Sequence, residues 1–121
     1  MAITIKELIT NKEKIEQKKQ SLFDLKTSIG TVTIKPPTLS LMLEITDLEK
    51  DISDKYLILQ SVIEPDLKNK ELQKAYGCME PIDIVEKLFQ PGEIFSISKK
   101  IMSCSGFGAE IEAKIHEKVK N

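Results

Sequence analysis

Histidine occurs once in this chain and cysteine twice. A metal site needs several clustered ligands. Cys78, Cys104 and His116 stand apart, with no C-x-x-C and no H-x-x-x-H spacing. A serine or thiol nucleophile needs a base and a group to orient it. The single histidine lies near the C-terminus, and Ser96, Ser98, Ser103 and Ser105 have no G-x-S-x-G frame around them. Gly92 and Gly106 do not form a phosphate loop, because neither the Walker spacing nor G-x-G-x-x-G is present. No metal, cofactor or catalytic residue is therefore expected, and the chain reads as non-enzymatic.

Excess charge is also missing. Eighteen cations against nineteen acids leave a formal net charge of -1, so no field draws phosphate backbones to the surface. Nucleic acid is not an expected partner. The longest apolar runs, such as Tyr56-Leu57-Ile58-Leu59, cover a few residues, against the ~20 needed to span a bilayer. No membrane association is expected. The opening MAITIKELITNKEK has no basic start followed by an apolar core. With no export signal, the two cysteines are expected to be reduced thiols in the cytoplasm.

What the chain does have is amphipathic periodicity. Its 121 residues, 40% hydrophobic and 31% charged with 5% aromatic, fit one helix-rich domain. Thr4 followed by Glu7 is a capping box, repeated by Thr10 and Glu13, so short helices are expected at about 5–10 and on to about 19. The second holds only Ile15 as an anchor and reads as a solvated arm. Phe23 and Leu25, then Val32 and Ile34, alternate with polar residues around Ser28-Ile29-Gly30 and predict a hairpin. Pro36-Pro37 ends it. A lone hairpin is marginal in water, so it must lean on helices or on another copy.

Thr38 is positioned to cap a helix whose apolar face is Leu41, Ile45 and Leu48. A break is expected at Asp51–Asp54, then a stripe of Tyr56, Leu59 and Ile63, closed by Pro65. Asn69 caps a short helix that ends at Gly77. Pro81 opens the next, burying Ile84, Val85, Leu88 and Phe89. Pro91 and Glu93 start another helix, where a first-turn carboxylate is favoured by ~0.3–1 kcal/mol. Ile94, Ile97, Ile101 and Cys104 form its seam, and Ser105-Gly106 stops it, with Phe107 just beyond. A last, thin stripe of Ile111, Ile115 and Val119 predicts a helix from about Ala109, able to dock on its own domain or another copy.

The fold class expected is mainly α, a bundle of short amphipathic helices with one small N-terminal β-hairpin at about residues 22–35. Residues 1–20 read as a helical arm and 21–121 as a single mostly helical domain. That inventory suits a binding or assembly module.

The ordered run Pro65-Asp66-Leu67, then Glu71, Leu72, Ala75, Tyr76 and Gly77, then Pro81, Leu88 and Phe89, continues into Pro91-Gly92-Glu93-Ile94 and Ser105-Gly106-Phe107. In order and spacing it resembles the XkdN-like tail assembly chaperones of contractile-tailed phages and their prophage relatives, most strongly over residues 64–107. Glu80 departs from the pattern, where a Ser or Thr cap before Pro81 is expected. The resemblance gives Pro91, Gly92, Glu93, Gly106 and Phe107 a structural role as family-motif residues.

It also implies a role. Such chaperones bind the long, aggregation-prone tape-measure protein, keep it soluble and help tail-tube protein polymerise around it. They act in the bacterial host cytoplasm and are absent from the mature virion. Expected partners are thus the tape-measure protein and the tail-tube protein, with self-association. Phe95, Met102, Phe107, Ile111 and Ile115 are the candidate partner contacts, each of which also reads as ordinary core. A small helical adaptor or regulatory binding module, or a minor structural protein of the virion tail, remains the alternative.

Overall fold

A computed structural model describes residues 1–117. Among them lie seven helices and three strands. Helix α1 (Ile5–Thr10) starts with the expected reciprocal cap: the Glu7 amide donates to Thr4 Oγ1 at 3.1 Å, and the Thr4 amide donates to Glu7 Oε1 at 3.3 Å. Helix α2 (Lys12–Lys19) follows after Asn11. The second capping box does not form. Thr10 instead donates its hydroxyl to the Lys6 carbonyl at 2.9 Å, inside α1. Neither helix buries a single residue, although Ile15, Lys18 and Lys19 of α2 line a cleft shared with Pro36, Pro37 and Cys104.

Strands β1 (Phe23–Thr27) and β2 (Gly30–Ile34) form the predicted hairpin, pairing Phe23 with Ile34 and Thr27 with Gly30. Gly30 takes φ 126°, a conformation that a Cβ resists. Alternation puts Val32 and Ile34 into the core. The sequence left the hairpin to lean on helices or on another copy, and did not show the third strand that its own chain supplies. Strand β3 (Val62–Glu64) pairs antiparallel with β2, Ile34 against Val62 and Thr33 against Glu64, giving a three-stranded sheet in the order β1-β2-β3. The fold is mainly helical with a small antiparallel sheet, and the hairpin's marginal stability is offset within the same chain.

Helix α3 (Leu39–Thr46) is capped by Thr38 Oγ1, which accepts from the Leu41 amide at 3.1 Å. The break after it lies at Asp47–Glu49, earlier than expected. Asp51 and Asp54 belong to α4 (Lys50–Ser61), where Asp51 sits in the first turn that the helix dipole makes favourable for acids. Leu57, Ile58 and Leu59 of α4 are buried, but Ile63 is exposed, because the chain has turned from helix into β3. Ile63 keeps the i+4 spacing from Leu59, so the sequence pattern does not show the change from helix to strand.

Helix α5 (Lys70–Ala75) is capped by Asn69 Oδ1 and stops at Gly77, φ 68°. The Cys78 amide donates to the Gln73 carbonyl and the Gly77 amide to that of Lys74, a Schellman ending. Helix α6 (Asp83–Leu88) begins two residues later than Pro81. No side chain caps α6; Asp83 instead reaches back, its Oδ2 accepting from the amides of Met79 and Glu80 at 3.0 and 2.9 Å and fixing the turn that leads into the helix. Helix α7 (Pro91–Cys104) has Pro91 at its first position, as expected.

Helix α4 is the hub, packed against α3, α6, α7 and β3, while α7 also meets α6 and β1. The core between them holds Ile34, Leu57, Ile58, Leu67, Ile84, Val85 and Ile101, all fully buried. One side-chain pair ties α3 to α4: the Tyr56 hydroxyl donates to Glu44 Oε1 at 2.6 Å. That bond, burial and the carboxylate's charge raise the Tyr56 pKa above its ordinary 10.0. The native state therefore keeps a proton that the unfolded chain loses first. The contribution is complete below about pH 10 and is lost as pH rises through the higher native value. Tyr56→Phe is expected to cost roughly 0.5–1.5 kcal/mol at pH 7 and to flatten the alkaline fall in stability, read by denaturant titration at a series of pH values.

Beyond α7 the expected last helix is absent among the described residues. Residues 109–117 have no regular structure, and Ile111 and Ile115 are 90% and 94% exposed. Two apolar residues four apart with nothing to cover do not sustain a short helix in water. Val119, the third member of that stripe, lies outside the described residues.

Candidate partner-binding surface

Helices α4, α6 and α7 leave a groove of about 350 Å³ between them. Its floor is apolar because Phe89 and Ile94 are nearly buried at 4% and 7% exposure. Pro91 lines it from the start of α7, and Phe95, half exposed at 50%, stands at its edge. The Lys50 ammonium lies 5.5 Å from the centre of the Phe95 ring, within cation–π range. Charged residues make the rest of the lining: Asp51, Asp54, Lys55 and Glu86. Lys55 and Glu86 form an ion pair across the groove between α4 and α6. The buried Ser98 hydroxyl donates to Asp54 Oδ1 at 2.7 Å and holds that carboxylate in place.

The volume is at the small end of the ~300–1,000 Å³ typical of ligand pockets. An apolar floor, an aromatic edge and a charged margin suit the side chains of another protein. Among the described residues, no cluster of three or more His, Cys, Asp or Glu is arranged to hold a metal ion. Burial pushes the Cys104 thiol above its ordinary pKa, with Lys100 acting weakly against it, so its reactive thiolate is disfavoured at neutral pH. No helix among the described residues is long and apolar enough to cross a membrane.

Of the five residues singled out for partner contact, the structure puts only Phe95 at this groove. Met102 lies seven residues further along α7, half buried against the core. Phe107 is 37% exposed at the end of α7, and Ile111 and Ile115 extend beyond it. The five therefore do not form one surface. Sequence reasoning did not find Asp54, Lys55 and Glu86, which meet only through helix packing. Their one sequence signal was position, as charged residues opposite the apolar stripes of α4 and α6.

The motif residues have separate structural duties. Pro91 opens α7 without a wasted amide. Glu93 sits in the first turn but reaches the hairpin: its Oε2 accepts from the Ser28 amide at 2.8 Å and its Oε1 from the Ser28 hydroxyl at 2.6 Å. Gly106 takes φ 86°, and its amide donates to the Ser103 carbonyl while the Phe107 amide donates to that of Met102. That is a second Schellman ending. Gly92 faces open space where a Cβ would stand, so nothing steric demands glycine there.

A family model described as phage XkdN-like tail assembly chaperone protein matches residues 3–120. Comparison with curated proteins and with solved structures gives no match.

Proposed function

The chain belongs to the phage XkdN-like tail assembly chaperone family, and from that premise we propose that it binds the tape-measure protein through the α4–α6–α7 groove. The half-exposed ring of Phe95 over the buried Phe89 and Ile94 carries this reading. In a monomer such an aromatic edge has no stabilising role that requires its exposure. An amphipathic helix laid along the groove would cover it.

The magnitudes fit a holding role. Full burial of a phenylalanine is worth roughly 1.5–3 kcal/mol, so covering the exposed half of Phe95 adds on the order of 1 kcal/mol. Each copy then binds weakly and releases readily. Many copies along one tape measure convert weak contacts into useful avidity. The complex keeps the tape measure soluble until tail-tube protein polymerises around it, and the chaperone leaves before the virion is complete. It works in the host cytoplasm and catalyses no reaction.

Co-expression with a tape-measure protein from the same phage or prophage, followed by affinity capture, tests the proposal. More soluble tape measure and co-purification with this chain are expected. A tape measure equally soluble without the chain, with nothing captured, would contradict the proposal. Recovery of the chain from purified virions would instead support a structural tail protein.

A further inference from the structure

Among the described residues two exposed apolar surfaces stand uncovered, and they are opposite in charge. The first is the arm. Ile5, Leu8 and Ile9 share one side of α1 at the i, i+3, i+4 spacing and are 78%, 45% and 70% exposed. Helices this short are marginal in water unless an apolar face is covered, yet nothing in α1 or α2 is buried. Residues 1–20 hold five lysines and three glutamates.

The second surface is the corner between α3 and α4. Leu43, Leu48 and Ile52 are exposed there at 63%, 36% and 39%. Asp47, Glu49 and Asp51 lie between them, all exposed and without an ion pair among the described residues. The one cation of the corner, Lys50, is drawn toward the Phe95 ring.

We propose that the basic apolar arm of one copy docks on the acidic apolar α3–α4 corner of a second copy. Charge complementarity selects this occupant. The lysines of α2, Lys12 and Lys14 foremost, face the corner carboxylates, while Ile5, Leu8 and Ile9 cover Leu43, Leu48 and Ile52. The two patches lie on different parts of one chain, so the contact is heterologous. Interior copies use both arm and corner and end copies keep one of each free, so the assembly grows head to tail unless its rotation closes a ring. The corner adjoins the Phe95 groove at Asp51, but Asp47 and Glu49, which the test alters, lie outside the groove's lining.

Charge exchange tests it. Light scattering of the wild-type protein over a concentration series is expected to show mass rising beyond a monomer, and rising less in 1 M salt. Lys12→Glu with Lys14→Glu makes the arm acidic, and Asp47→Lys with Glu49→Lys makes the corner basic. Each double variant alone is expected to need at least about tenfold more protein to associate. An equimolar mixture of the two restores association, because each arm then meets a corner of opposite sign. All four positions are exposed, so circular dichroism and melting should match wild type. A wild-type chain that stays monomeric at every concentration would overturn the proposal. So would undiminished association of either variant alone, or a mixture no better than its parts.

Discussion

Ile101→Ala is expected to destabilise the protein by roughly 2–5 kcal/mol and lower its melting temperature by roughly 10–20 °C. Ile101 is fully buried on the seam of α7, within the core that α7 shares with α4. Truncation loses the transfer energy of the removed carbons and leaves a cavity, which close-packed neighbours fill only in part. Domains of this size are stable by about 5–15 kcal/mol, so the loss is a large share of the total. Ile101→Val, which removes one methylene, should cost only about 0.5–1.5 kcal/mol. Thermal and denaturant unfolding of both variants measure the difference. Equal, small effects would mean that α7 is not packed as described.

Glu93→Ala is the second large effect, at near the lower end of ~1.5–3 kcal/mol for hydrogen bonds to a charged group. One carboxylate accepts both the Ser28 amide and hydroxyl, and it also faces the start of α7. Ser28 is exposed, so water replaces part of what is lost. The local signature is sharper than the global one. Hydrogen exchange at the Ser28 amide should speed up in Glu93→Ala, while exchange in the centre of α4 follows global stability. A hairpin turn as protected as in wild type would show that Glu93 does not hold it.

The sequence revealed the helix ends best, because caps are local. Thr4, Thr38, Asn69, Gly77, Pro91 and Gly106 each act within a few residues of themselves. Distant pairings were hidden. Val62 and Ile63 fall in with the helical spacing of Tyr56 and Leu59, and only the pairing of this segment with Thr33 and Ile34 makes it a strand. Asp51 and Asp54 resemble a loop by composition, yet one sits in a helix's first turn and the other accepts from Ser98 forty-four positions away. Glu93 was legible as a helix-start acid, but its reach to Ser28 depends on the packing of α7 against β1. The tail shows the opposite failure. A periodic pattern at Ile111 and Ile115 promised a helix, and the pattern alone did not supply a surface to bury it.

The candidate groove was legible to the same limited degree. Phe95 stood out as an aromatic beside the α7 seam. Its floor of Phe89 and Ile94 and its margin of Asp54, Lys55 and Glu86 come from three helices that only the fold brings together. The family resemblance suggested the kind of partner proposed, and the packing forms the groove proposed to hold it.

The most direct test of that account is capture of the tape-measure protein by wild-type chain and by Phe95→Asp in parallel. Phe95 is half exposed, so the variant should keep its fold and melt close to wild type. The account predicts at least about tenfold less tape measure in the captured and soluble fractions with Phe95→Asp. Equal recovery with both chains would place the holding surface elsewhere and contradict the assignment of the α4–α6–α7 groove.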